Sequence, residues 1–253
     1  VCNADVPHID LGTEGFANGE RYHSARPDYP RDAVAFLVSS LKISDDSHVV
    51  DLGAGTGILT KQLTTFGARI TAVEPTAGMR AVLTARRLPG VTVVDGRDTA
   101  IPLPAASADA LTVAQAFHWF DAPAALAEIH RVLKPRGGLG LIWNERDESV
   151  DWVAELGAAM RWPEFQPYEV GMDFSPVLAA GPFVNIERRR FRHEQVLDRH
   201  GLTDRVLTTS YITTMGEADR AALMADVTAV VSRLPEPIVL PYVTDTYRAT
   251  AAA

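Results

Sequence analysis

Residues 49–57 read Val-Val-Asp-Leu-Gly-Ala-Gly-Thr-Gly, a β-branched run that passes directly into three glycines spaced one residue apart. Few folds accept that pattern. The run has the character of a buried strand, and a glycine turn after it brings bare backbone within reach of a ligand. A side chain at Gly53, Gly55 or Gly57 is expected to obstruct that approach. The next segment carries Leu59, Leu63 and Phe66 at helical spacing and ends on Gly67, a suitable C-terminal cap. Strand, turn and helix together place a nucleotide-like ligand at the carboxyl end of the first strand of an α/β sheet.

The alternation continues along the chain. Residues 31–41 present Val34, Leu37, Val38 and Leu41 on one helical face, with Pro30 suited to the first turn. Further strands are expected at 70–74, 91–95, 109–114 and 139–143, after the first at 48–52. Between them, Thr76 is positioned to cap a helix carrying Met79, Val82 and Leu83. Pro123 opens another with Leu126, Ile129 and Leu133 inward, and Pro135-Arg136-Gly137-Gly138 stops it. Such spacing implies right-handed βαβ units and a parallel sheet covered on both faces, a three-layer α/β sandwich. After Asn144 the rhythm changes to a segment rich in aromatics and prolines, read as a helical insertion over 146–182. Residues 183–197 and 238–247 return to an extended pattern, and Thr214 with Glu217 suggests a capping box for a helix through Val231.

The glycine spacing is G-x-G-x-G, not the G-x-G-x-x-G of a pyrophosphate site. Asp51, two residues before Gly53, disfavours a pyrophosphate and suits a ligand with a cationic amino group. Glu74 ends the second strand, where a carboxylate can accept both hydroxyls of a ribose.

On these motifs the chain resembles the class I S-adenosylmethionine-dependent methyltransferases. It carries the 49–57 run, Ala72-Val73-Glu74-Pro75, Ile101-Pro102-Leu103-Pro104 with Ser107-Ala108-Asp109-Ala110, and 131–138, in the family's order. The segment 114–120, Ala-Gln-Ala-Phe-His-Trp-Phe, with Tyr22 and 26–30, is similar to a subgroup that methylates small molecules. The resemblance covers about residues 15–145 and implies a Rossmann-like, seven-stranded, mostly parallel sheet of order 3-2-1-4-5-7-6. It implies S-adenosylmethionine as cofactor, with Asp51, Gly53, Ala54 and Gly55 at its methionine end and Glu74 at its ribose. Pro75, Thr76 and Met79 would pack around the adenosine, and Asp98 would meet the adenine, although Arg97 and Thr99 depart from the acidic-small-acidic pattern of many relatives. Tyr22 and Arg26 would close over the cofactor's carboxylate, and Gln115 would lie where the acceptor approaches.

A sulfonium is a good leaving group, so the protein's task is to orient a nucleophile in line at about 3 Å, in a dry site and sometimes with a base. His118, in the loop after the fourth strand, is the candidate base; packing against the cofactor is the competing role. A nicotinamide dehydrogenase and a non-catalytic cofactor-binding protein are the alternative functions.

Composition narrows the partners. With 32 acidic against 24 basic residues the net charge is −8, which argues against nucleic acid or an anionic membrane and leaves a small molecule. One cysteine, Cys2, excludes an intrachain disulfide, and the histidine spacings suggest no metal site. No apolar run has spanning length and no signal-peptide pattern opens the chain, so a cytoplasmic enzyme is expected. The 253 residues are read as a single domain: cap segment 1–30, cofactor core 31–145, lid 146–182, and C-terminal strands and helix 183–253. Arg188, Arg189, Arg190, Arg192 and Arg199 read as a charge-protected edge strand ahead of an anion site.

Overall fold

In a computed structural model, which describes residues 19–161 and 173–252, helices α1 (Gly19–Ala25) and α2 (Arg31–Ser40) precede the sheet. The core then runs β1 (His48–Leu52), α3 (Ile58–Thr64), β2 (Arg69–Val73), α4 (Ala77–Ala85), β3 (Val91–Val94), β4 (Ala108–Ala114), α5 (Ala122–Val132) and β5 (Leu133–Arg146). Helices α6 (Asp151–Ala159) and α7 (Ser175–Ala180) lead to β6 (Phe183–Leu197), α8 (Arg199–Leu207), α9 (Ser210–Thr214), α10 (Glu217–Val231) and β7 (Ile238–Ala251). The seven strands form one sheet in the order β3-β2-β1-β4-β5-β7-β6. All are parallel except β7, which is antiparallel to both neighbours. This is the expected sheet.

Two apolar layers follow from the period of two along each strand. Val49 and Ala110 face Leu37 of α2 and Leu63 of α3, whereas Val50, Leu52, Leu111 and Val113 face Leu126 and Ile129 of α5. Covered on both sides, β1 is buried at every position, which is why it is apolar apart from His48 at its start and Asp51.

A third cluster sits where the sheet overhangs. β4 accompanies β5 only as far as Ile142, and residues 143–146 continue against β7 alone. The exposed flank of this overhang is covered by Val153 and Leu156 of α6, Leu202 and Val206 of α8, and Leu223 and Val227 of α10, packed on Leu240 and Tyr242 of β7. Among the described residues no helix is long and apolar enough to cross a membrane.

Several local expectations are corrected. Leu133 is not the last inward residue of α5 but the first of β5; the helix stops at Val132. The Pro-Arg-Gly-Gly segment that follows is an irregular lead-in, with Arg136 at φ +64° and a register shift between Ala108 and Ala110. Neither proposed threonine cap forms. The Thr76 side chain makes no capping bond to α4, while the Thr214 hydroxyl donates to the Tyr211 carbonyl at 3.1 Å and so closes α9. Helices α8 and α9 carry no expectation from the sequence. The N-terminal segment before residue 19 and the aromatics at 162–168 lie outside the described residues.

Arg188, Arg189, Arg190 and Arg192 lie on the edge strand β6, whereas Arg199, expected with them, opens α8. Arg188 and Arg190 both donate to the Asp245 carboxylate of β7, Arg189 to Glu187, and Arg199 is paired with Glu236.

Candidate active site

The turn after β1 continues the β1–β2 ladder. Amides of Gly53 and Ala54 both donate to the Val73 carbonyl, at 2.8 and 3.2 Å. The next amide, Gly55, donates to Oε2 of Glu74 at 2.8 Å, and Thr76 N donates to Oε1 at 2.8 Å. Each carboxylate oxygen therefore keeps a lone pair for a further donor.

The three glycines have different reasons to be glycine. A Cβ on Gly57 (φ +81°) would lie 2.2 Å from Leu83 Cδ1, and one on Gly53 would lie 2.7 Å from Ala116 Cβ. On Gly55 it would meet nothing within 4 Å. The expectation that all three clear a path for a ligand is thus corrected: neighbouring side chains require Gly53 and Gly57, and Gly55 alone fronts open space.

Asp51 has no exposed surface. Thr60 Oγ1 donates to its Oδ2 at 2.6 Å and Thr112 Oγ1 to its Oδ1 at 3.0 Å. It therefore stands behind the turn, tying β1 to α3 and β4, rather than at its mouth facing an amino group. Burial pushes its carboxyl up to about 6, against the two hydroxyl bonds, which pull it down.

At the end of β4, Gln115 adopts φ +54°, a left-handed step that non-glycine residues take under constraint. Its Nε2 donates to the Asn144 carbonyl at 2.9 Å, while its Oε1 is buried without a hydrogen-bond partner. The step leads into a short 3₁₀ turn, Phe117–Trp119, that carries His118 into a cavity of about 310 Å³. There the imidazole packs on Trp119 and edge-on to Trp143, with centroids 4.3 and 4.9 Å away. Tyr22 and Arg26 line the same cavity; the guanidinium lies 4.5 Å over the tyrosine ring and donates to the Thr208 carbonyl at 2.8 Å.

The structure thus forms two adjoining groups. Tyr22, Arg26, Gln115 and His118 share the cavity, and Asp51, Gly53, Ala54, Gly55 and Glu74 form the turn beside it. The near contact of Gly53 with Ala116 joins them. Met79 is buried on α4 one turn before Leu83, and Pro75 is exposed beside Glu74. Asp98 is half-buried after β3; burial raises its carboxyl, against amides that include that of Asp121 at the start of α5. Sequence reasoning missed Arg146, Arg205 and Thr209, which also line the cavity. No local pattern marks them, because two distant segments, the end of β5 and the end of α8, meet only at the overhang. Thr112 was legible in principle, as the register partner of Asp51.

A glycine turn at the carboxyl end of the first strand, a carboxylate closing the second and a cavity at the end of the fourth define an α/β enzyme that binds a nucleoside-bearing ligand. Residues 50–141 match the family model of the methyltransferase domain. An uncharacterised methyltransferase of Mycobacterium tuberculosis is 37% identical over 240 residues, covering 91% of this chain and 93% of its own. A structure from Anaeromyxobacter dehalogenans, assigned as a type II methyltransferase, superposes with a TM-score of 0.62 at 22% identity over 90% of this chain and 97% of its own. Phosphoethanolamine N-methyltransferase 2 of Haemonchus contortus, in complex with phosphomonomethylethanolamine and S-adenosylhomocysteine, gives 0.60 at 14% identity over 98% and 61%. The chain belongs to the class I S-adenosylmethionine-dependent methyltransferases. That membership sets aside the nicotinamide dehydrogenase.

Proposed function

We propose that the protein transfers a methyl group from S-adenosylmethionine to a small-molecule acceptor held in the cavity beside the glycine turn. The observation that carries this reading is the cavity itself, about 310 Å³ and directly continuous with the segment that abuts Gly53. Its volume suits a metabolite. The turn fits the cofactor, since Gly55 offers bare backbone to open space and Glu74 retains acceptor capacity for two ribose hydroxyls. When bound, S-adenosylmethionine supplies an electrophilic methyl on a sulfonium. Tyr22 and Arg26 close the N-terminal side of the site, Trp143 and Trp119 exclude water, and Gln115 Oε1 offers an acceptor for a polar hydrogen. His118 is placed to take a proton from the acceptor.

The test is label transfer from radioactive cofactor to an extract separated into metabolites, protein and nucleic acid. Label is expected among the metabolites; label confined to either polymer would overturn the small-molecule reading. Glu74→Gln should weaken S-adenosylhomocysteine binding by about 1–3 kcal/mol in calorimetry, because the new amide must also face one of the two donors now bonded to the carboxylate. Unchanged affinity would move the ribose elsewhere. His118→Ala should slow label transfer with nearly unchanged cofactor affinity; the opposite pattern would make His118 packing alone.

A further inference from the structure

The cavity is polar in a particular way. Arg205, on α8, is 6% exposed and fixed by its Nε, which donates to the Tyr242 hydroxyl at 3.1 Å. That hydroxyl in turn donates to Gln195 Oε1 at 3.2 Å. Arg205 lines the cavity wall, and its Nη1 is buried without a hydrogen-bond partner. Thr209, just beyond the end of α8, is 4% exposed and its Oγ1 is likewise buried and unpartnered in the same wall. A buried donor left unpaired is costly, and a buried guanidinium more so. Arg146 brings a second guanidinium to this wall from the end of β5. Burial lowers its proton affinity, and the next largest contribution is the positive charge of Arg205. Tyr242, Tyr211 and Glu148 act the other way on Arg146, whereas the unpartnered Nη1 of Arg205 is a donor suited to an anion.

The cavity also contains acids, but two of them have their own engagements. The Asp147 carboxylate accepts from the Ser149 hydroxyl at 2.5 Å and its amide at 3.2 Å. The Glu148 carboxylate lies against α6, with Oε1 2.6 Å from where a Cβ on Gly157 would stand. Arg190, also in the wall, is bonded to Asp245.

We propose that the methyl acceptor carries an oxyanion, a carboxylate or a phosphate, which Arg205 and Thr209 bind on the α8 side of the cavity. This rests on the methyl-transfer reading above. Fixed at its Nε, Arg205 presents the opposite end of its fork, a geometry that suits the paired oxygens of either group. Anchoring at this wall leaves the remainder of the acceptor to extend toward His118 and Gln115.

The full chain is first saturated with S-adenosylhomocysteine, and its calorimetric binding checks the cofactor reading independently. Succinate, inorganic phosphate and the uncharged succinamide are then titrated. Succinate or phosphate, whichever is the better mimic, is expected to bind and to inhibit label transfer, and succinamide to do neither. Arg205→Met should weaken the bound anion about tenfold or more, Arg205→Lys should restore part of that loss, and Thr209→Val should weaken it severalfold. All three should leave S-adenosylhomocysteine affinity unchanged. Should Arg205→Met fail to fold, Thr209→Val decides. Equal binding of succinamide, absence of anion binding to a protein that binds S-adenosylhomocysteine, or unchanged anion affinity in the variants would overturn the proposal. Failure to bind S-adenosylhomocysteine would overturn the cofactor reading instead.

Discussion

Gly57→Val is expected to destabilise the protein by about 3–5 kcal/mol, a large part of the stability of an ordinary domain. Two costs combine. The left-handed φ of +81° is strained for any residue with a Cβ, by roughly 1–2 kcal/mol and more for a β-branched one. The Cβ would also lie 2.2 Å from Leu83 Cδ1, so α4 must shift or Leu83 must leave its rotamer, at about 1–3 kcal/mol. Urea unfolding measures the sum. Gly55→Ala is the informative partner, because its φ of +56° carries the backbone strain without any clash. It should lose only about 1–2 kcal/mol of stability while weakening S-adenosylhomocysteine binding. Equal losses of stability in the two variants would mean that the packing of Leu83 on the turn does not matter.

The second large effect is a pH dependence centred on Asp51. Its carboxyl titrates at about 6 in the folded chain against 3.8 when free, chiefly because it is buried. Between these values the folded protein keeps a proton that the unfolded chain has released, so rising pH favours unfolding. The stabilisation is complete below about pH 4 and is lost as pH rises through about 6, amounting to roughly 3 kcal/mol. Asp109, Asp147 and Asp245 are shifted downward and act with the opposite sign at lower pH. Within the window Asp98, raised by burial, adds to the decline, and His23 and His193, lowered by burial, oppose it, so the Asp51 contribution is read as the difference between parent and variant. Asp51→Asn should therefore flatten the decline between pH 4 and 7 in urea unfolding. Thr112 can support either side chain, since its hydroxyl also reaches the Val50 carbonyl at 3.4 Å. Parallel stability profiles for the two proteins would show that Asp51 titrates normally.

The parts of the fold that could be read from the sequence were those whose pattern is local. β1, α3, β2 and α5 announce themselves by apolar spacing and turn residues, and Glu74 by its place at a strand end. The third apolar cluster does not, because Val153, Leu202, Leu223 and Tyr242 have no common period and meet only across the overhang. Local rules also misled where a side chain had another partner. The Thr214 hydroxyl closes the helix behind it instead of opening the one ahead, and Thr76 stands at the N-cap without a capping bond, its own amide donating to Glu74. The glycine turn was located correctly, but the need for Gly53 and Gly57 comes from Ala116 and Leu83, which no spacing within the turn reveals. Arg205 was invisible for the same reason as the third cluster: its meaning lies in what the chain brings beside it.

The overhang of β5 beyond β4 gives the cavity two unlike walls. On one side, Asn144, Glu145 and Arg146 are locked by ladder bonds to β7, which is itself paired with β6 along its length. On the other, α1 rests on α8 and is secured there by side-chain links such as Arg21 to Asp204 and Arg26 to the Thr208 carbonyl. Opening the first wall means breaking a sheet, whereas opening the second separates two short helices. Of these two walls, the seam between α1 and α8 is the one held by side-chain links alone. Arg205 lies on α8, so on the proposal above the helix that grips the acceptor is also one side of the wall that costs less to open.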